Sequence, residues 1–217
     1  PGVNITGFAQ AWIIYPINET DAAMGWLQRW LNRLKFKVQS FFFNRADRLV
    51  VELDHVRTGL LNSNIGSDST IHVVRNSLSS LYTDPAKWQE VDVPYTEADI
   101  KLGFVGSNYS HKNTRIFPAA IDSLRATYGI KATIYVTFTD EEWAACDDSF
   151  RASVINVGPL YVTQCPMFYS RMDAVIFPSL LECFSATPLE AMAMERPLFA
   201  SDRPFNRDVC GPHAHYF

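Results

Sequence analysis

The chain has 217 residues, enough for one large or two small domains; 47% apolar content supports a buried core, and 19% charged residues exclude a disordered chain. A net charge of −4 gives no electrostatic case for nucleic-acid binding by the whole protein. The four cysteines, Cys146, Cys165, Cys183 and Cys210, are widely spaced with no Cys-x-x-Cys, so they read as reduced thiols of a cytoplasmic protein, not as a disulfide or zinc framework.

Residues 1–16 are mostly uncharged, and the run Ala11-Trp12-Ile13-Ile14-Tyr15-Pro16 predicts a strand or a buried loop. From 21 to 44 the period is helical, with Leu27, Trp30, Leu31, Leu34, Val38, Phe41 and Phe42 on one face and Arg29, Arg33, Lys35 and Lys37 elsewhere. The pattern predicts a helix packed on the core with a solvated basic edge. A basic amphipathic helix also fits an anionic surface, so a peripheral contact at the inner face of a membrane is the alternative. No apolar run approaches the ~20 residues of a membrane span, and no signal peptide is visible.

Residues 48–53 predict a strand, 54–61 a helix and 71–74 another strand. That order is half of a doubly wound domain, and no first strand with a Gly-rich turn stands near the start. Residues 1–97, which take in most of a polar linker at 85–99, are therefore expected to form an incomplete first domain. From residue 98 the pattern becomes regular. Strands are expected at 101–106, 132–138, 154–157, 174–177 and 198–200, with His215-Tyr216-Phe217 starting a sixth. Helices are expected at 114–128, 140–151, 166–172 and 188–194. This alternation predicts a parallel sheet with helices on both faces, its end truncated like the first domain.

The stretch 173–190 carries the chemistry: Asp-Ala-Val-Ile-Phe-Pro-Ser-Leu-Leu-Glu-Cys-Phe-Ser-Ala-Thr-Pro-Leu-Glu. Its apolar run is a buried strand ended by Pro178-Ser179. Thr187 can cap the helix that follows, with Pro188 at the first position. Glu182 and Glu190 have seven residues between them. The first stands at the carboxyl end of a strand, where open α/β sheets bind ligands. The second stands in the first turn of a helix whose free N–H groups attract anions. Together they describe a site for a sugar attached to a phosphate. In an earlier loop, after Gly103-Phe104-Val105-Gly106, His111-Lys112-Asn113 precedes a helix, and Lys112 can reach a diphosphate as a compact point charge.

Simpler roles exist for each. Lys112 could be a solvated lysine beside a helix start, and Glu190 could only stabilise a helix dipole, worth ~0.3–1 kcal/mol. Cys183 is not read as a nucleophile, because no His base is near it in sequence. His111, His213 and His215 lack a carboxylate at ligand spacing, so no metal site is expected. No Gly-x-Gly-x-x-Gly follows a predicted strand, which argues against a dinucleotide-dependent oxidoreductase.

Glu182-x7-Glu190 after Phe177-Pro178-Ser179, followed by Glu190-Ala191-Met192-Ala193, Pro197-Leu198-Phe199-Ala200-Ser201-Asp202 and Asp208-Val209-Cys210-Gly211, resembles the retaining glycosyltransferases of the GT-B fold. The similarity is greatest to family 4 (glycosyl transferases group 1), and it covers 101–217 well and 1–92 loosely. The resemblance implies an α/β chain of two Rossmann-like domains with parallel sheets, 1–97 on the acceptor side and 98–217 binding the donor, both truncated. It implies a hexosyltransferase in polysaccharide or glycoconjugate biosynthesis. Such an enzyme moves sugar from a nucleotide-diphosphate donor to a hydroxyl of a saccharide or lipid-linked saccharide, with retention and without a metal or other cofactor.

By the same resemblance Lys112 faces the leaving phosphate, with His111 beside it where many relatives carry an Arg a few residues earlier. Glu182 contacts the sugar hydroxyls and Glu190 the ribose. Cys183, Phe184, Ser185 and Ala186 form the donor loop, Cys183 and Ser185 standing where relatives carry the glycines of Glu-Gly-Phe-Gly. A non-catalytic nucleotide-sugar-binding module and a nucleotide-sugar epimerase of the same fold remain as alternatives.

Overall fold

A computed structural model describes residues 2–16, 18–22 and 24–217, with 21 and 22 by backbone alone. They form two compact units. Unit 1 takes Pro1–Ser77, Leu180–Ser185 and Arg203–Gly211, and unit 2 takes Leu78–Ser179, Ala186–Asp202 and Pro212–Phe217. Strands and helices are numbered along the chain.

In unit 1, β1 (Ile5–Gly7), β2 (Arg48–Val51) and β3 (Ile71–Val73) make a parallel sheet in that order. Thr6 pairs with Leu49 and Val50 with His72. Leu49 and Val51 alternate with more exposed neighbours and enter the core. The first helix, α1 (Ala11–Ile14), corrects the strand or loop expected there. A short apolar run carries no period that separates a buried strand from a buried helical turn. It buries Ala11, Ile13 and Ile14. The helix α4 (Asp54–Asn62) comes close to it because Gly59 has no side chain: a Cβ there would lie 2.6 Å from Ile14 Cβ. Leu181 and Cys183 join the same core as Phe8, Leu49, Val56 and Leu60.

The helix expected over 21–44 is two helices, α2 (Glu19–Ala22) and α3 (Trp26–Phe43); residue 23 lies outside the described residues. Gly25, in extended conformation, precedes α3 as its N-cap. The apolar face of α3 does not pack on the core as expected. Trp26, Leu27, Trp30, Leu31, Leu34, Val38, Phe41 and Phe42 are each at least 45% exposed. The helix docks instead by a second stripe seven residues apart: Phe36 stacks on Trp12 at 6.1 Å and Phe43 meets Phe8 edge-on at 4.8 Å. Among the described residues no helix is long and apolar enough to cross a membrane. Unit 1 also holds α10 (Pro204–Cys210), which buries Phe205, Asn206 and Cys210.

Unit 2 is built on six parallel strands in the order β6-β5-β4-β7-β8-β9. They are β4 (Ile100–Gly103), β5 (Ala132–Val136), β6 (Val154–Asn156), β7 (Ala174–Phe177), β8 (Leu198–Ala200) and β9 (His215–Tyr216). Every predicted strand is present, and the expected sixth pairs Phe199 with His215. All four residues of β7 are buried, which its unbroken apolar run required. The helices are α5 (Phe117–Tyr128), α6 (Asp140–Ala144), α7 (Asp148–Ser153), α8 (Cys165–Ser170) and α9 (Thr187–Ala193). The single helix expected at 140–151 is thus two. A Thr139–Glu142 capping box opens α6, and the Asp147 carboxylate accepts from Phe150 N–H to open α7. Leu102, Phe104, Phe117, Ile134, Val136 and Phe138 fill the core on one side of the sheet.

Gly103, the last residue of β4, lies against α8. A Cβ there would stand 2.7 Å from Met172 Cγ and 3.0 Å from Phe168 Cε1, both buried side chains. Gly103→Ala is expected to destabilise the protein by about 1–3 kcal/mol through overpacking. Urea unfolding should show a lower midpoint at unchanged slope; an unmoved midpoint would mean that this contact has room to relax.

Candidate functional site

Within unit 2, β4 and β7 are neighbours, Leu102 pairing with Ala174 and Gly103 with Val175. Yet their chains leave in opposite directions, β4 toward β5 and β6, β7 toward β8 and β9. This is the switch point at which an open parallel sheet leaves room beyond its carboxyl ends. The loop after β4 is tied down there. Gly106, at φ 151°, takes a conformation that L side chains rarely adopt, and its N–H donates to Thr137 Oγ1 at 3.1 Å. Asn108 N–H donates to Glu142 Oε1 at 3.0 Å, the same carboxylate that closes the capping box of α6. Thr114 Oγ1 donates to Asn108 Oδ1.

Lys112 ends a 3-10 turn, Ser110–Lys112, and Asn113 then turns the chain toward α5 at φ 55°. The Lys112 ammonium stands 5.4 Å from the centre of the Phe177 ring, the last residue of β7. A cation on the β4 loop is thus placed over the end of the adjacent strand, where ring and charge attract. His111 stacks on Tyr109 at 5.7 Å.

The start of α9 meets the same loop. Ala186 is its N-cap, Thr187 its first residue and Pro188 its second; no side chain caps it. Thr187, expected as the cap, donates instead from Oγ1 to the Val105 carbonyl at 3.4 Å. Glu190 has a partner that the sequence did not reveal: the fully buried Tyr169 donates to its Oε2 at 2.8 Å. The Tyr82 ring lies 6.4 Å from that of Tyr169. Burial, and then Glu190, raises both phenols well above their usual range, so both remain protonated. Cys165 is pushed up to about 11 by the same two causes. A tyrosine inside an apolar segment announces the need for a partner but not which one.

Glu182, Cys183, Phe184 and Ser185 belong to unit 1, whereas His111, Lys112, Ala186 and Glu190 belong to unit 2. In unit 1 the side chains of Leu181 and Cys183 are buried, and Glu182 between them is partly exposed. None of these four residues has positive φ; among the described non-glycine residues only Asn64, Asn113 and Glu195 do. Cys183 and Ser185 therefore build this loop without a conformation that needs glycine. Burial, then Glu182 and Glu52, pushes the Cys183 thiol up to about 12, so it is a protonated packing residue and a poor nucleophile.

Sequence reading also missed His55, the second residue of α4. Its Nε2 lies 2.8 Å from the Cys183 carbonyl and its Nδ1 2.9 Å from the Tyr15 hydroxyl. Arg203 pairs with Glu19 at 2.6 Å beside a cavity of about 330 Å³ lined by Tyr15, Leu180, Leu181 and Phe205. Among the described residues, no group of three or more His, Cys, Asp or Glu is placed to hold a metal ion.

Several solved structures resemble this one. Sucrose-phosphate synthase from Thermosynechococcus elongatus matches with a TM-score of 0.66 at 14% identity, over 96% of this chain and 52% of its own. WaaG, a glycosyltransferase involved in lipopolysaccharide biosynthesis, gives 0.63 at 15% identity, over 93% of this chain and 57% of its own. HepE of Anabaena, solved with UDP and glucose, gives 0.58 at 17% identity, over 76% and 47%. The chain spans about half the length of these proteins. At such low identities the likeness establishes the fold, which is GT-B. No curated protein matches by sequence. The family model described as glycosyl transferases group 1 matches residues 99–215, more than half of the chain. The chain belongs to the glycosyl transferases group 1 family.

Proposed function

We propose that the chain serves to move a sugar from a nucleotide-diphosphate donor to a hydroxyl of a saccharide or lipid-linked saccharide, with retention of configuration, in the synthesis of a polysaccharide or glycoconjugate. The observation that carries this reading is Lys112 held over Phe177 at the β4–β7 switch point, in a chain of this family. A diphosphate placed there would meet a full positive charge at the moment negative charge develops on the leaving group. The helix α9 is only seven residues long, so its dipole adds less than Lys112 does. The UDP and glucose of HepE support a uridine-diphosphate sugar as the first donor to test.

Glu190 accepts from Tyr169 and, with about four lone-pair sites on a carboxylate, could accept from a ribose hydroxyl as well. Glu182 is assigned to the sugar hydroxyls by its place in the motif. No side chain is assigned as a covalent nucleophile. By family analogy the acceptor attacks from the face that the diphosphate leaves. The partner of the exposed α3 face is assigned as an anionic lipid surface. Trp26 and Trp30 are among its exposed residues, Arg29, Arg33, Lys35 and Lys37 lie on the same helix, and the helix contains no acid. That composition matches a helix lying in the headgroup region of an anionic bilayer.

Three donor-site variants separate the assigned roles. Lys112→Ala should weaken UDP-glucose binding about tenfold to a hundredfold, the worth of a charged hydrogen bond, while uridine binding stays nearly constant. Glu190→Gln should act mainly on donor affinity, and Glu182→Gln mainly on turnover, with a loss on the order of a hundredfold in kcat. Calorimetry and single-turnover rates decide; wild-type values for all three variants would end the glycosyltransferase site assignment, and a silent Glu182 with weakened donor binding would favour a binding module.

The lipid assignment is tested by co-sedimentation with vesicles of phosphatidylglycerol and phosphatidylcholine, against phosphatidylcholine alone. Binding to the anionic vesicles should fall with added salt and with Trp30→Glu plus Leu34→Glu. No preference for anionic vesicles would contradict it. So would a concentration-dependent dimer that the same double variant abolishes, which would assign the face to a second copy.

A further inference from the structure

We propose that His55 is a positioning residue for Glu182, acting through the hydrogen bond between its Nε2 and the carbonyl of Cys183. The inference rests on the assignment of Glu182 to the donor sugar. A peptide carbonyl only accepts, so Nε2 carries the proton and donates across 2.8 Å. In the neutral ring Nδ1 is then the acceptor, and the Tyr15 hydroxyl donates to it at 2.9 Å. Tyr15 therefore fixes the tautomer that His55 needs to hold the carbonyl. Burial lowers the pKa of His55 from its usual value, and burial first, then Cys183 and Asp208, pushes Tyr15 up to about 12, so this pattern persists at neutral pH.

The ring is itself held in place. The His55 backbone N–H donates to Asp208 Oδ2 at 2.9 Å, Arg75 pairs with both Asp208 and Asp54, and the Phe205 ring lies 6.2 Å from the imidazole. Together with the bonds to Tyr15 and Cys183, these contacts join the end of α1, α4, α10 and the segment Leu180–Ser185, all within unit 1.

The segment has two kinds of anchor with different consequences. Burial of the Leu181 and Cys183 side chains fixes where the segment lies. It leaves the peptide plane after Cys183, at the residue next to Glu182, free to rock, and the adjoining backbone that carries Glu182 would shift with it. The His55 bond removes that freedom, because tilting the carbonyl would break a half-buried hydrogen bond. Loss of His55 should therefore misalign Glu182 more than it destabilises the protein, and a misaligned group near a reacting centre costs rate before it costs binding.

The test uses the whole chain with UDP-glucose, measuring donor affinity, the rate of UDP release and amide exchange over residues 180–186. His55→Ala should slow UDP release about tenfold at unchanged donor affinity and speed exchange in this segment. His55→Gln, whose amide can still donate to the carbonyl, should recover most of the rate. Tyr15→Phe, which keeps the ring but loses the tautomer's anchor, should cost about threefold. It and His55→Gln decide the matter if His55→Ala does not fold. Wild-type rate and exchange in the His55 and Tyr15 variants, alongside a slow Glu182→Gln, would overturn the inference and leave the Glu182 assignment standing. A wild-type rate in Glu182→Gln would instead remove that assignment and the inference with it.

Discussion

The site depends on one topological constraint, the reversal of strand order between β4 and β7. A parallel strand must return to its neighbour by a crossover, and the crossovers of one half of this sheet run one way while those of the other half run the opposite way. In such a sheet a crevice is expected beyond the carboxyl ends of the two middle strands. Two contacts organise this gap within unit 2. Lys112 extends from the β4 loop to the end of β7, and Thr187 links the start of α9 back to Val105. Neither contact would form if β4 and β7 were not adjacent.

Buried polar groups set the rest. Tyr169 is fully buried, and its hydroxyl would cost about 1–3 kcal/mol without a partner. Glu190 supplies one, so the acid assigned to the ribose also completes a core. Glu142 plays a similar double part, capping α6 and holding the backbone of the loop that carries Lys112. In unit 1 the imidazole of His55 ties a segment to a residue 128 positions earlier in the chain. Each bond serves the fold and also fixes a group, or the neighbour of a group, that is assigned to the donor site.

What could be read from the sequence follows from these forces. The strand at 174–177 was legible to the residue because a strand buried on both faces must be apolar throughout. The strand expected at 101–106 ends at Gly103; Phe104 N–H still donates to the Tyr135 carbonyl, and the chain then leaves the sheet and bends at Gly106 although Phe104 and Val105 are apolar. The break between α6 and α7 had a visible cause in Asp147, three residues before the Phe150 N–H it caps. The period of α3 predicted an apolar face but could not say which side would dock, since periodicity reports amphipathicity and not the neighbour. Lys112 and the two acids stood out by their place after strands. Their partners Phe177 and Tyr169, and the His55–Cys183 bond, did not, because long-range contacts leave no local pattern.

The most direct measurement is a crystal structure of the chain soaked with UDP-glucose, read at a single distance. The diphosphate should lie beyond the carboxyl ends of β4 and β7, with an oxygen about 2.7–3.2 Å from Lys112 Nζ. A diphosphate bound away from this switch point, with Lys112 still resting on Phe177, would contradict it.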